Sequence, residues 1–126
     1  PSQTKWRVVE RLGGMTLVRC RPLTGRQHQI RVHLQFIGLP LLVDALYGDS
    51  SAFYLSSLKP GYRPSSRHRE RPLIDRLTLH AEAISFTHPS IGRCVRVEAP
   101  LPKDFRATLT QLRKLSGGES SGFVVY

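Results

Sequence analysis

The chain has 126 residues, with 19 Lys plus Arg against 9 Asp plus Glu, a formal net charge of +10 and a sequence pI near 10.6. That length carries one domain with its own core, and the charge favours a polyanionic partner, most simply nucleic acid. No run approaches the ~18 consecutive apolar residues of a membrane span, and no basic amphipathic stretch offers itself to an anionic bilayer.

Cys20 and Cys94 are the only cysteines, and their spacing suggests neither a disulfide framework nor a zinc site. Two reduced, partly buried thiols in a cytoplasmic protein are expected. His28 and His33 are five apart, which misses the i, i+4 geometry of a helical metal pair, so no metal is expected. The opening residues carry no apolar signal segment and the first is not Met, which fits a fragment or a processed product.

In chain order, residues 4–11 and 14–21 are rich in β-formers and meet at a Gly-Gly pair, which predicts a hairpin. Along its second strand Thr16, Val18 and Cys20 alternate with Leu17, Arg19 and Arg21, so one face is basic at its far end. Thr24 then reads as an N-cap and Gly25 as the residue that eases a tight entry. Residues 26–37 carry helical spacing, with Ile30, Leu34 and Ile37 apolar and Gln27, Arg31 and Gln35 forming a polar stripe beside His28. Gly38 and Pro40 end that helix.

Residues 39–49 are a short apolar run into a turn. Residues 50–76, rich in Pro, Ser and Arg and without period, read as a basic surface loop or insertion. Strand character resumes over 77–89, a turn follows at Ser90–Gly92, and a second strand covers 93–100. Pro102 and Asp104 open a last helix with Phe105, Leu109, Leu112 and Leu115 as its apolar stripe. Residues 116–126 read as a flexible tail, or as a strand tip at its apolar end.

The stretch "RPLTGRQHQIRVHL" concentrates the chemistry. A helix start behind Thr-Gly-Arg is a ready anion site, and Arg26 adds a bidentate donor for phosphate. Arg31, between two glutamines, is placed to be held against a carboxylate or a phosphate. A merely solvated basic face is the plain alternative.

"LTGRQHQIRVHLQFIGLPLLVDALYG" resembles the TGR…HQIR…YG segment of the RluA-type pseudouridine synthases. "RLTLHAEAISFTHPSIG" and "VEAPLPKDF" are similar to that family's downstream motifs, in the same order. Val43 stands where the family usually has Gly, and Gln27 where it often has Thr. The family's H-R-L-D-x-x-T-S-G motif, which bears its nucleophilic aspartate, does not occur in this chain, nor is its active-site tyrosine identifiable.

The resemblance implies an α+β fold: a mixed, mostly antiparallel sheet with packed helices. Residues 1–115 would be the C-terminal part of the catalytic domain. It implies isomerisation of uridine to pseudouridine in structured RNA, ribosomal rather than transfer RNA, without metal or organic cofactor. Arg31 would orient the missing aspartate; Arg21, Arg26, Gln27 and His28 would contact RNA, and the basic loop from Lys59 to Arg71 would be an RNA-contacting arm or a merely solvated loop. Thr24, Gly25, Ile30, Asp44, Tyr47 and His80 would be structural members of the motifs. The partners implied are RNA and the N-terminal half of the domain, with no membrane. The chain alone is then expected to be inactive, and a non-catalytic RNA-binding module built on this fold is the alternative.

Overall fold

The computed structural model describes residues 1–12, 15–48, 50–58, 69–114 and 122–125. Strands β1 (Thr4–Leu12) and β2 (Met15–Pro22) pair antiparallel, from Thr4 opposite Pro22 to Leu12 opposite Met15. A bulge falls between Val8 and Glu10, where β1 gains a residue on its partner. The strands are those a hairpin requires; Gly13 and Gly14 lie outside the described residues.

Helix α1 spans Gln29–Phe36, and a 3-10 turn covers Leu55–Ser57. Then come β3 (Leu79–His80), β4 (Ala83–Thr87), β5 (Cys94–Glu98), α2 (Lys103–Lys114) and β6 (Gly122–Val125). The larger sheet runs β1-β2-β6-β3, with β6 parallel to both neighbours; β4 and β5 form a separate antiparallel pair. The fold is α+β and most paired residues are antiparallel, but the strands divide over two sheets. Within the stretch read as a tail, Gly122–Val125 forms β6 at the sheet's centre.

Strand β2 positions everything else because both of its faces are covered. Met15 and Leu17 join Phe105, Leu109 and Leu112 of α2 in the larger core. Val18 and Cys20 meet Ile30 and Leu34 of α1 in a smaller one. Side chains alternate along a strand, so the two helices lie on opposite faces. The stripe expected of the last helix is buried as expected at Phe105, Leu109 and Leu112, with Thr108 beside them; Leu115 lies outside the described residues.

Helix α1 corrects the sequence reading at its start. It begins at Gln29, three residues after the expected Arg26, and its N-cap position is His28, not Thr24. Its end is as read: Gly38, at φ 80, takes the left-handed conformation that glycine adopts without strain.

The reading of 50–76 as a surface loop also needs correction at both ends. Phe53 and Ile74 are buried in the larger core and pair in an antiparallel bridge. An apolar residue thus ties down each end of the insertion; residues 59–68 of the expected RNA-contacting arm lie outside the described residues.

Leu109 is buried among Phe105, Leu112 and the β2 side chains. Leu109→Ala is expected to cost about 3 kcal/mol through lost burial and a residual cavity, read from the urea midpoint at unchanged slope.

Candidate active site

The loop entering α1 is organised by a side chain that the periodicity did not single out. Gln29 is buried, and all its polar capacity is spent on the chain around it. Its Oε1 accepts the Thr24 hydroxyl at 2.6 Å and the Arg26 N–H at 3.1 Å. Its Nε2 donates to the Gln3 carbonyl at 2.7 Å and the Thr4 hydroxyl at 2.9 Å. Thr24 in turn accepts the Gln3 N–H at 3.0 Å. Thr24 therefore fastens the start of β1 to the loop instead of capping the helix. Among the described residues, no buried side-chain nitrogen or oxygen lacks a partner.

Gly25 has open space around the position of a Cβ and is not at positive φ, so it does not supply the eased entry. That conformation falls on His28, at φ 53, where a side chain with a Cβ is uncommon. Thr-Gly-Arg does not directly precede the helix as expected: Gln27 and the left-handed His28 separate Arg26 from the first helical residue.

In the first turn of α1, Arg31 meets Asp44. Arg31 Nε donates to Asp44 Oδ2 at 2.9 Å and Nη2 donates to Oδ1 at 2.7 Å, a bidentate contact. The Asp44 side chain is 1% exposed and that of Arg31 16%. Asp44 Oδ1 also accepts the N–H groups of Tyr47 and Leu46 at 3.0 and 3.1 Å, which closes a tight turn. Burial pushes the Asp44 carboxyl up, but the guanidinium and the two N–H groups outweigh it and hold it below its ordinary value. The hydrogen bond to Asp44 raises Arg31 in the same way.

The turn is anchored on both sides. Val43 is buried, and its N–H donates to the Thr78 hydroxyl at 3.2 Å while its carbonyl accepts the Thr78 N–H at 3.1 Å. Gly48 donates its N–H to the Asp44 carbonyl at 2.8 Å, and a Cβ there would stand 2.9 Å from that oxygen, so only glycine closes the turn without a shift. Tyr47 then lies under Arg31, with the guanidinium carbon 5.0 Å from the ring centroid. The Tyr47 hydroxyl is 3.0 Å from His28 Nδ1, and the two rings meet edge to face.

The structure thus brings four of the expected site residues together: His28, Arg31, Asp44 and Tyr47. Arg21, Arg26 and Gln27 are exposed. Ile30 is core beneath α1. His80 is half-buried, its Nε2 3.0 Å from the Ala99 carbonyl. Arg31 is held by Asp44 and Tyr47, not by the neighbouring glutamines, of which Gln27 and Gln35 are exposed. The signals for what was missed were present: an opposite charge thirteen residues after Arg31, and a glutamine five after Thr24.

Beside this cluster, a groove of about 510 Å3 runs between the start of β1 and α1, lined by Thr4, Trp6, Leu23, Ile30 and Leu34 among others. Trp6, 63% exposed, and Phe36, 89% exposed, stand at it. Cys20 lines it too; burial pushes its thiol up to about 11, which leaves it protonated and unreactive. Cys94 is a free thiol and is exposed, not partly buried as expected. Among the described residues, no group of three or more His, Cys, Asp or Glu is placed to hold a metal ion, and no helix is long and apolar enough to cross a membrane.

Two stability predictions follow from this geometry. Gln29→Glu sets a carboxylate oxygen against the Gln3 carbonyl in place of a donor; a loss of about 1–3 kcal/mol at pH 7, smaller near pH 4, is expected in denaturant titrations. Asp44 has a folded pKa below its unfolded value near ~3.9, so its contribution is present above that pH and is lost as pH falls through the folded value. The thermal midpoint should therefore decline below about pH 4, and less steeply in Asp44→Asn, which starts lower.

The family model described as RNA pseudouridylate synthase matches residues 1–36. The ribosomal large subunit pseudouridine synthase C of Escherichia coli K12 is 41% identical over 119 residues, covering 90% of this chain and 32% of that protein. The protein of the same name from Salmonella typhi is 43% identical over 113 residues, again covering 90% of this chain and 32% of the relative. RNA pseudouridine synthase 2, chloroplastic, of Oryza sativa subsp. japonica is 40% identical over 130 residues, covering 98% of this chain and 29% of the relative. The chain spans about a third of the length of these relatives. With the order of its motifs and the α+β arrangement that carries them, the chain belongs to the RluA-type family of RNA pseudouridine synthases.

Proposed function

We propose that this chain supplies the arginine side of the active centre of an enzyme that converts uridine to pseudouridine in ribosomal RNA. The nucleophilic aspartate would come from sequence outside the chain. The observation that carries this reading is Arg31. Two of its five N–H groups are spent on Asp44, its only hydrogen-bond partner among the described residues. The remaining edge of the guanidinium is available to a second oxyanion. Relatives named for the ribosomal large subunit support ribosomal RNA as the substrate class. The net charge of +10 suits any RNA.

The chemistry is redox-neutral. The bond from ribose C1′ to uracil N1 breaks, the base turns, and a C1′–C5 bond forms; the C5 proton leaves and N1 takes one up. An aspartate acting as nucleophile or base must be ionised to begin this. Arg31, fixed before the substrate arrives, would keep that carboxylate charged and in place with little reorganisation. The target base is brought out of its stack so that the site can reach it. Arg21, Arg26 and Gln27, exposed on the strand end and loop beside this site, would bind phosphates and fix the register of the RNA.

The N-terminal half of the domain would close the sheet beyond β1. That strand is nine residues long and, among the described residues, ends the sheet order, so its outer edge offers backbone groups for pairing. Next to that edge Trp6, Leu23, Phe36, Ile37 and Leu39 leave apolar surface exposed. The two free cysteines suit a cytoplasmic setting.

Tritium release from 5-tritiated uridine in ribosomal RNA tests the activity. The full-length polypeptide should release tritium, Arg31→Ala should lower kcat on the order of 100-fold or more, and this chain alone should release none. The non-catalytic RNA-binding alternative would be supported by a full-length protein that releases no tritium yet binds RNA with an affinity falling steeply with salt.

A further inference from the structure

Asp44 stands next to the proposed active centre and is not available for the chemistry itself. Its Oδ1 already takes Arg31 Nη2, Tyr47 N–H and Leu46 N–H, its Oδ2 takes Arg31 Nε, and its side chain is 1% exposed. No sugar carbon could reach it. Yet a buried ion pair is a poor way to add stability, since apolar residues of similar volume do as well or better. The pair is also left open on one side. Nε and Nη2 face Asp44, while Nη1 and the second N–H of Nη2 point away from it.

We propose that Asp44, together with the Tyr47 ring, positions Arg31 so that the outer edge of its guanidinium meets the nucleophilic carboxylate. This rests on the function proposed above. A free arginine side chain samples many rotamers, at about 2 kcal/mol of entropy. Here the inner edge is set by a carboxylate that two backbone N–H groups hold still, and one face is set by an aromatic ring at 5.0 Å. The ring is itself backed by His28 through the tyrosine hydroxyl. His28 makes this contact from a backbone at φ 53, a conformation uncommon for a residue with a Cβ. Edge and face together leave the guanidinium one orientation. Arg31 thereby bridges two carboxylates, one fixed in this chain and one supplied from outside it.

The test uses the full-length polypeptide, tritium release for kcat and KM, and a thermal melt for the folded fraction. Asp44→Asn is expected to lower kcat per folded molecule on the order of 100-fold, as a misplaced reacting group does, with KM close to wild type. In an Arg31→Lys background the same change should add little, because both act through one guanidinium. Tyr47→Leu, which leaves the ion pair in place, should lower kcat in the same sense and to a smaller extent. A lower melting temperature with unchanged kcat per folded molecule, or losses that add fully across the double variant, would overturn the positioning role. Should Asp44→Asn fail to fold, Tyr47→Leu decides: reduced kcat at unchanged KM supports the role, and wild-type kcat overturns it. A wild type without tritium release, or an Arg31→Lys variant as active as wild type, would overturn the proposed function and this role with it.

Discussion

The ion pair between Arg31 and Asp44 is the contact on which the local structure depends. It joins the first turns of α1 to the 41–48 segment, two pieces that share no sheet. Asp44 is buried, and a buried carboxylate persists as an anion only when its lone pairs are filled by donors. The guanidinium and two backbone N–H groups fill them here, which forces the chain from Asp44 to Gly48 into a tight turn. That turn delivers Tyr47 beneath the same guanidinium. One charge requirement thus shapes both the backbone and the aromatic shelf of the site.

The opposite side of α1 is organised by a neutral group. Gln29 offers two donors and two acceptor positions, and two N–H bonds and two acceptances tie β1, the 24–26 loop and the helix together. Gln29 and Arg31 leave the helix on different sides. One sews the loop to the sheet and the other reaches across to Asp44. A short helix of eight residues is marginal by itself, and these two side chains supply the tertiary contacts that hold it.

Much of this was legible in the residues. Alternation and the glycine pair placed the β1–β2 strands, and the apolar spacing placed α2. The motif order named the family and singled out Arg31. The start of α1 was not legible, because the residue types that favour an N-cap at Thr24 are those that favour loop hydrogen bonds, and Gln29 captured the hydroxyl. The left-handed turn at His28 had no glycine to announce it. The pairing of Arg31 with Asp44 crosses thirteen positions and an intervening turn, so no periodicity could reveal it. The burial of Phe53 and Ile74 was hidden inside a stretch whose average composition reads as loop.

The burial of β2 on both faces bears on how the chain finds its fold. In a half-exposed strand, a slip of one residue turns greasy side chains to water, and that penalty selects the right alignment. Met15 and Leu17 on one face and Val18 and Cys20 on the other are all apolar, so the same slip in β2 would be punished only weakly. Alignment must instead be chosen by features that do not repeat along the strand. The bulge at Val8–Glu10 is one, and the bidentate grip of Arg19 on Glu82 at 2.8 Å is another. The central strand would then lock late, once residues far away in sequence have arrived to read its register.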